Sequence, residues 1–218
     1  MQRERACLAQ VSRLALIKEL ASIVPEDVLV VSSIGNNSAF WGELAERESN
    51  LFHATLGMCS PAALGLALAL PKRKVIALDA DGNLILNLGV LGTVANENAT
   101  NLIILVMDNR NYLGSHKKAP GMPTATGGKM KLQEVAKGCG IASSHTIQDV
   151  ATFRETVQMG LKNDGPHFIC AQIEAIDTDR PGKNKRIPDP RENKYQFAKY
   201  IERTSGVQIL GGGLGNFG

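Results

Sequence analysis

The sequence predicts an α/β protein, a doubly wound parallel sheet flanked by helices. Short apolar runs of strand length alternate along the chain with longer segments whose apolar residues recur at helical spacing. Polar turns follow several of these apolar runs. Such alternation favours parallel strands joined by crossover helices, because each helix returns the chain to the starting edge of the sheet.

The predicted elements follow one another in order along the chain. Apolar residues at helical spacing indicate a first helix that Pro25 closes, and they are Leu8, Val11, Leu14, Ala15 and Leu20. Next come a strand at 28–31, a helix at 38–47 that Ser38 would cap, a helix opened by Ser60 and Pro61, and a strand at 75–78. The remainder predicts a helix at 84–97, a strand at 102–107, helices near 131–137 and 150–161, and a strand at 168–173.

Length and composition predict one domain followed by a tail. With 218 residues, of which 44% are hydrophobic, the chain can bury one sizeable core. We place the domain at residues 1–176 and the tail at 177–218. The tail contains a short helix candidate at 195–201 and ends in a glycine-rich stretch. We expect it to contact a partner or to be disordered.

Composition also argues against several classes of function. A net charge of +3, with three Tyr and one Trp, does not favour nucleic-acid binding. The four cysteines are scattered without a CxxC pair, which argues against a zinc site or a disulfide framework. No apolar run approaches the roughly 20 residues of a membrane span, and the N-terminus shows no secretory signal. We therefore expect a cytoplasmic protein with no membrane or nucleic-acid partner.

Three polar turns follow predicted strands, at residues 33–37, 79–83 and 108–111. Because ligands of doubly wound sheets bind at the carboxyl ends of the strands, we expect these turns at one edge of the sheet. Asp81 and Gly82 open a helix, where backbone N–H groups suit a phosphate and the carboxylate suits a cation. Asn109 adds a neutral oxygen, and such hard oxygen ligands favour Mg²⁺. Each turn taken alone is also an ordinary polar turn.

The joint pattern resembles thiamine diphosphate (ThDP) enzymes of the 2-oxo acid decarboxylase and acetolactate synthase type. Ala80-Asp81-Gly82, followed about 28 residues later by Asp108-Asn109, is similar to their GDG and NN signature, from which Ala80 and Asp108 depart. Residues 30–41 and 56–65 are similar to two further acetolactate synthase segments, the second to MGFGLPAAIG. The resemblance spans roughly residues 10–175. It is nearest to the beta subunits of sulfopyruvate decarboxylases and to phosphonopyruvate decarboxylases.

This resemblance implies a ThDP diphosphate-binding domain that holds ThDP and Mg²⁺. The implied metal ligands are the side chains of Asp81 and Asn109 and the carbonyl oxygen of Asn111. The implied diphosphate contacts are Asn36, Asn37, Gly82 and Asn83. Either Leu56 or Met58 would hold the cofactor bent, although plain core packing is the alternative for each. The remaining implied cofactor-site residues are Gly35, Gly57, Ala80, Tyr112 and Leu113.

The resemblance also implies a partner and an activity. Activation of the cofactor needs a glutamate that lies on a separate pyrimidine-binding domain in this family, whereas Glu97 and Glu134 fall within predicted helices of the present domain. We therefore expect a pyrimidine-domain partner subunit in a hetero-oligomer. The implied reaction is decarboxylation of a small 2-oxo acid, with the electronic work done by the cofactor. A carboligase is the alternative within the family, and a non-catalytic regulatory module that binds a nucleotide diphosphate is the alternative outside it.

A basic loop interrupts the alternation at residues 114–131. It contains four lysines and His116 but no acidic residue, and it starts just after Asn111. We expect His116, Lys117 and Lys118 to attract a substrate that carries a second anionic group. The alternative is a solvated basic loop without a specific role.

Overall fold

The computed structural model describes residues 11–112, 121–177 and 189–211. The strands are β1 (Leu29–Ser33), β2 (Asn50–Ala54), β3 (Val75–Ala80), β4 (Leu102–Asp108), β5 (Ser143–Ile147) and β6 (His167–Gln172). The α-helices are α1 (Arg13–Ile23), α2 (Asn36–Leu44), α3 (Cys59–Ala69), α4 (Asp81–Ile85), α5 (Val90–Glu97), α6 (Leu132–Gly138), α7 (Val150–Lys162) and α8 (Pro190–Ser205). These strands form one parallel sheet in the order β2-β1-β3-β4-β6-β5. No helix within the described ranges is long and apolar enough to cross a membrane.

Helices cover both faces of the sheet, which confirms the predicted doubly wound α/β fold. Successive side chains of a strand point to opposite faces, so Leu29 and Val31 pack with α3, α5 and α8, while Val30 packs with α1, α2 and α7. Every residue of β1 and β4 is buried. Central parallel strands therefore read as continuous apolar runs in the sequence.

The order of the strands fixes where a ligand can bind. β1 and β3 are neighbours, but the chain continues from β1 to β2 on one side and from β3 to β4 on the other. The connections that leave the carboxyl ends of β1 and β3 thus diverge, and a crevice opens between them. The segments that follow β1, β3 and β4 all border this crevice.

The sequence does not predict β2 and β5, which are the two edge strands. Their sequences, NLFHA and SSHTI, mix polar with apolar residues, and several of these residues are only half-buried. An edge strand that faces solvent in part needs no continuous apolar run. Hydrophobicity is therefore a weak signal for β2 and β5, whereas the four strands between them overlap the predicted apolar runs.

Three predicted helices differ from those of the structure. α3 begins at Cys59 with Met58 at its N-cap, so Ser60 lies within the helix and does not cap it. α2 begins at Asn36, after Gly35 in a left-handed conformation with φ of 101°, and not after a cap at Ser38. The Ser38 hydroxyl instead donates to the Ser33 carbonyl at 2.9 Å and accepts from the His53 N–H at 2.9 Å, so it ties β1 to β2. The predicted helix at 84–97 is divided into α4 and α5 by a turn at residues 86–89.

The C-terminal helix α8 packs against the edge strand β2. The Asn193 side chain accepts from the Phe52 N–H at 2.8 Å and donates to the Asn50 carbonyl at 2.9 Å, so its amide pairs with the β2 backbone as another strand would. Phe197 and Ile201 of α8 are buried in the core. The segment after residue 177 thus contributes to the core of this domain, and the predicted division of the chain at residue 176 stays a prediction.

Candidate cofactor site at the carboxyl edge of the sheet

A cavity of about 340 Å³ lies in the crevice and brings all three predicted turns together. The predicted residues that line it are Gly35, Asn36, Asn37, Leu56, Ala80, Asp81, Gly82, Asn83, Asn109, Asn111 and Tyr112. Four further residues line it, Arg13, Ser33, Ile34 and Leu86. Gly57 and Met58 are adjacent in the chain but are not part of the lining. Leu113, His116, Lys117 and Lys118 lie outside the described residues.

Asp81 is a buried carboxylate at the first residue of α4. Thr124 donates a hydrogen bond to its Oδ2 at 2.6 Å, and the Thr126 hydroxyl lies 3.2 Å from the same oxygen. Thr126 also donates to Asp108 Oδ1 at 2.7 Å, so the two carboxylates share this donor. The pKa of Asp81 is raised to about 6, chiefly by burial and in part by the negative charge of Asp108, against the opposing hydrogen bond of Thr124. A cation beside Asp81 would relieve both the burial cost and this repulsion.

Asp79 is a second buried carboxylate, and it positions its neighbours. Ser60 donates to Asp79 Oδ2 at 2.6 Å, while the Ala80 N–H at 2.8 Å and the Asn83 amide both donate to Oδ1. The Asn83 side-chain oxygen then accepts from the Gly57 N–H at 2.8 Å. Burial raises the pKa of Asp79, although the bonds from Ser60, Asn83 and Ala80 favour its charged form. This network fixes the α4 start relative to the segment that carries Leu56.

The segment after β4 presents a tight turn to the cavity. The Asn109 side-chain oxygen accepts from the Asn111 N–H at 3.3 Å, and the Asn111 amide donates to the Asn109 carbonyl at 2.9 Å. Arg110 between them adopts a left-handed conformation with φ of 61°. The Tyr112 N–H then donates to the Met122 carbonyl at 3.0 Å. The turn therefore brings Asn109 and Asn111 to the same cavity wall.

Gly82 is required by a close contact at the start of α4. A Cβ atom at this position would lie 2.7 Å from Tyr112 Cε1 and 3.3 Å from Thr124 Cγ2. The absence of a side chain lets the Tyr112 ring and the α4 backbone approach each other. Gly82 and Asn83 line the cavity at the start of α4, where an anion would be favoured.

Arg13 joins the site from the other end of the chain, and the sequence motifs do not predict it. Its Nε donates to both carboxylate oxygens of Asp177 at 3.1 Å, and its Nη1 donates to Asn37 Oδ1. Asn36 also donates to Asp177. The only signal in the sequence is position, since Arg13 precedes Leu16 and Ile17 on the buried face of α1, where an apolar residue is expected.

The cavity is bordered by large apolar side chains that are exposed. We call these residues the apolar rim. Ile34, Leu56, Leu86 and Tyr112 line the cavity, Met58 follows Leu56 by two residues, and the Met122 carbonyl accepts from the Tyr112 N–H. Their exposed fractions lie between 44% and 68%. Scattered apolar residues are normal on a protein surface, whereas a group around one cavity marks a site of association.

The donor set suits a cation that also binds oxygens of its ligand. Among residues 11–112, 121–177 and 189–211 no group of three or more His, Cys, Asp or Glu could hold a metal ion alone. Asp81 with the oxygens of Asn109 and Asn111 provides hard ligands that Mg²⁺ accepts, and Mg²⁺ commonly completes its octahedron with phosphate oxygens and water. These residues therefore fit a magnesium diphosphate group.

Comparisons with known proteins identify the domain that forms this site. Residues 33–171 match the family model described as thiamine pyrophosphate enzyme, C-terminal TPP binding domain, thiamine pyrophosphate being a synonym of ThDP. The chain is 33% identical over 195 residues to the sulfopyruvate decarboxylase subunit beta of Methanocaldococcus jannaschii, a match that covers 88% of this chain and 98% of the relative. It is 30% identical to the phosphonopyruvate decarboxylase of Streptomyces viridochromogenes over 83% of this chain but only 44% of that protein.

Solved structures share the fold. Benzoylformate decarboxylase from Polynucleobacter necessarius superimposes with a TM-score of 0.65 at 19% identity, over 80% of this chain and 35% of that chain. The chain therefore spans about a third of this larger protein. Identity at this level establishes the architecture alone.

Proposed function

Since the chain belongs to the thiamine pyrophosphate enzymes and contains their C-terminal cofactor-binding domain, we propose that it is the cofactor-binding subunit of a two-subunit 2-oxo acid decarboxylase. The proposed substrate carries a second anionic group, as sulfopyruvate and phosphonopyruvate do. The strongest support is the match to a sulfopyruvate decarboxylase subunit beta over 98% of that subunit's length. The bound cofactor would supply the electron sink for decarboxylation, and the protein would supply binding, orientation and a dry site.

In this proposal the cavity holds the magnesium diphosphate end of ThDP. Asp81 and the Asn109 side chain, with the Asn111 carbonyl, would bind Mg²⁺. The N–H groups at the start of α4, at Gly82 and Asn83, would contact the diphosphate. Support comes from the shared cavity lining and from the hydroxyls of Thr124 and Thr126, which both contact Oδ2 of Asp81 and leave Oδ1 without a side-chain partner among the described residues.

Leu56 is the proposed support for the bent cofactor. It lines the cavity and is 60% exposed, whereas Met58 lies outside the lining at the N-cap of α3. The Gly57 N–H that follows Leu56 is held by Asn83, so the Leu56 backbone is fixed relative to the proposed diphosphate site. A fixed apolar side chain at the open end of the cavity suits a wedge between the two rings of the cofactor.

The proposal requires a partner subunit that supplies a glutamate. Among the described residues that line the cavity there is no glutamate, and Asp81 is the carboxylate present. The apolar rim provides a surface on which a pyrimidine-binding subunit would cover the cofactor and exclude water. Enclosure between the two chains would then complete the active site.

Reconstitution tests this function directly. We expect the purified chain alone to show no decarboxylase activity with ThDP and Mg²⁺, and to gain activity with sulfopyruvate or phosphonopyruvate when a pyrimidine-domain subunit is added. Mass spectrometry of the native complex should detect ThDP. Turnover by the chain alone would contradict the two-subunit arrangement, and an adenine nucleotide in place of ThDP would favour a regulatory module.

A further inference from the structure

Arg13 is a buried cation that the proposed cofactor chemistry does not use. Its side chain is 5% exposed, yet it lines the cavity that contains Asp81. Among the described residues of this lining it is the one cationic side chain. Its partner Asp177 is also buried but does not belong to the lining, so the cation lies on the cavity side of the ion pair.

The hydrogen bonds of Arg13 leave one end of its guanidinium available. Nε donates to Asp177 and Nη1 donates to Asn37, while Nη2 has no hydrogen-bond partner among the residues that the structure describes. Because Nη2 lacks such a partner and yet is not fully shielded from solvent, it opens onto the cavity that Arg13 lines. An anion in the cavity would provide the missing acceptor.

The side-chain amide of Asn37 already forms hydrogen bonds within the protein through both its nitrogen and its oxygen. Its Nδ2 donates to the Asp79 carbonyl at 2.7 Å and to Ser33 Oγ at 3.2 Å, and its Oδ1 accepts from Arg13. These partners fix the orientation of the amide, because only nitrogen can donate to the Asp79 carbonyl. The Asn37 side chain therefore has no N–H left for a diphosphate, and its acceptor holds Arg13 in place.

We propose that Arg13 donates to the diphosphate of the bound cofactor, and that Asn37 is the positioning residue for this guanidinium, whereas Asp177 balances its charge from outside the cavity lining. The inference rests on the proposed cofactor site and adds a second cation to it. A diphosphate carries more negative charge than one Mg²⁺ neutralises. The planar guanidinium suits phosphate oxygens, and its fixed orientation reduces the entropy lost on binding.

Calorimetry on the full chain with inorganic diphosphate and Mg²⁺ tests the proposal without an activity assay. Arg13→Gln removes the cation, and we expect a loss in affinity of roughly 10- to 100-fold, as for a hydrogen bond to a charged group. Asp177→Asn is the matched control, because it breaks the same ion pair but leaves the cation beside the cavity. We expect Asp177→Asn to bind diphosphate at least as tightly as the wild type.

Denaturant unfolding of both variants separates this role from a structural one. Both variants lose the ion pair and should lose stability, whereas only Arg13→Gln should lose diphosphate affinity. Equal losses of affinity in the two variants, or unchanged affinity in folded Arg13→Gln, would overturn the proposal. If Arg13→Gln does not fold, Arg13→Lys replaces it, since lysine lacks the fork that reaches Asn37 and a phosphate together. Arg13→Lys should bind more weakly than Asp177→Asn.

The same titrations distinguish the inference from the function on which it rests. Absence of binding by the wild-type chain, with both magnesium diphosphate and magnesium ThDP and also after addition of the partner subunit, would contradict the cofactor site and the role of Arg13 together. Tight binding by the wild type with no effect of Arg13→Gln would contradict the role of Arg13 alone.

Discussion

At the scale of single residues, Asp81 is a carboxylate whose burial costs free energy until a cation is bound. We predict that Asp81→Asn abolishes magnesium-dependent ThDP binding, with a loss of roughly 100-fold or more, and leaves the fold intact. The fold should tolerate the change, because the pKa of Asp81 is raised to about 6 and its ionised form is therefore disfavoured in the empty site. Titration calorimetry on the assembled complex measures the affinity, and circular dichroism checks the fold.

Asp164→Asn is the matched control for this prediction. It removes the same charge from an exposed residue that precedes β6, at the opposite edge of the sheet. The ThDP affinity of Asp164→Asn should equal that of the wild type. EDTA should abolish ThDP binding by the wild type and by Asp164→Asn. Retention of wild-type affinity by folded Asp81→Asn would remove the metal assignment.

The sequence predicts those site residues that lie in turns after strands, and it does not predict the residues that other parts of the chain contribute. Asp81, Gly82 and Asn109 are predicted because they lie in turns that directly follow apolar strands. Arg13 and Thr124 reach the site only through the three-dimensional fold. Arg13 comes from the start of α1, and Thr124 comes from a segment whose composition indicates merely a loop. No spacing rule connects such residues with Asp81.

At the scale of elements, α8 protects the outer edge of the sheet through Asn193. We predict that Asn193→Leu lowers the free energy of unfolding by about 2 to 4 kcal/mol, because it leaves the Phe52 N–H and the Asn50 carbonyl buried without partners. Urea titration followed by circular dichroism measures this value. A change below about 0.5 kcal/mol, the range of ordinary surface substitutions, would contradict a stabilising role for the amide.

Lys199→Ala tests whether a substitution in α8 that does not contact β2 also changes the free energy of unfolding. Lys199 lies on the exposed face of α8, so its truncation preserves the helix without touching β2. Its free energy of unfolding should stay within about 0.5 kcal/mol of the wild type. The contact with α8 also explains why the sequence does not predict β2. This edge strand is completed by the side chain of Asn193 and not by a continuous apolar run of its own.

The basic loop at residues 114–131 supplies a prediction about substrate choice. Lys117 and Lys118 lie outside the described residues, and their proposed role rests on their charge and on their place in the chain after Asn111. We predict that Lys117→Ala with Lys118→Ala raises the KM for sulfopyruvate or phosphonopyruvate by roughly 10-fold or more and changes the KM for pyruvate little. Steady-state kinetics of the reconstituted pair measure both values.

The comparison between pyruvate and the doubly anionic substrates distinguishes a specific contact from general damage to the loop. Lys129→Ala with Lys131→Ala removes an equal charge from two exposed positions in the same loop and should affect neither substrate. Equal effects of the Lys117→Ala and Lys118→Ala double variant on pyruvate and on the doubly anionic substrates would indicate damage to the loop and not loss of a specific contact.

At the scale of the whole molecule, the apolar rim is the surface on which assembly should depend. We predict that Met122→Asp weakens association with the pyrimidine-domain subunit by roughly 10-fold or more, because it places a charge within a surface that association would bury. The Met122 side chain is 68% exposed, so the isolated chain should fold normally. Analytical ultracentrifugation of the mixed subunits measures the association.

Ile209→Asp serves as the control for Met122→Asp. Ile209 is 48% exposed but follows α8, away from the cavity, and its replacement should not affect assembly. Identical effects of the two variants would show that added charge, and not the position of the rim, weakens the complex.

The Arg13 and Asp177 ion pair joins two points that are 164 residues apart in the chain. During synthesis, Arg13 leaves the ribosome long before Asp177, and the β1, β3 and β4 turns emerge between them. A nascent chain therefore already contains the turns after β1, β3 and β4 while the Arg13 guanidinium still lacks its partner Asp177. A chain truncated before Asp177 would lack both this ion pair and α8, so the edge strand β2 would stay uncovered and the chain would be exposed to the proteases that remove incomplete products.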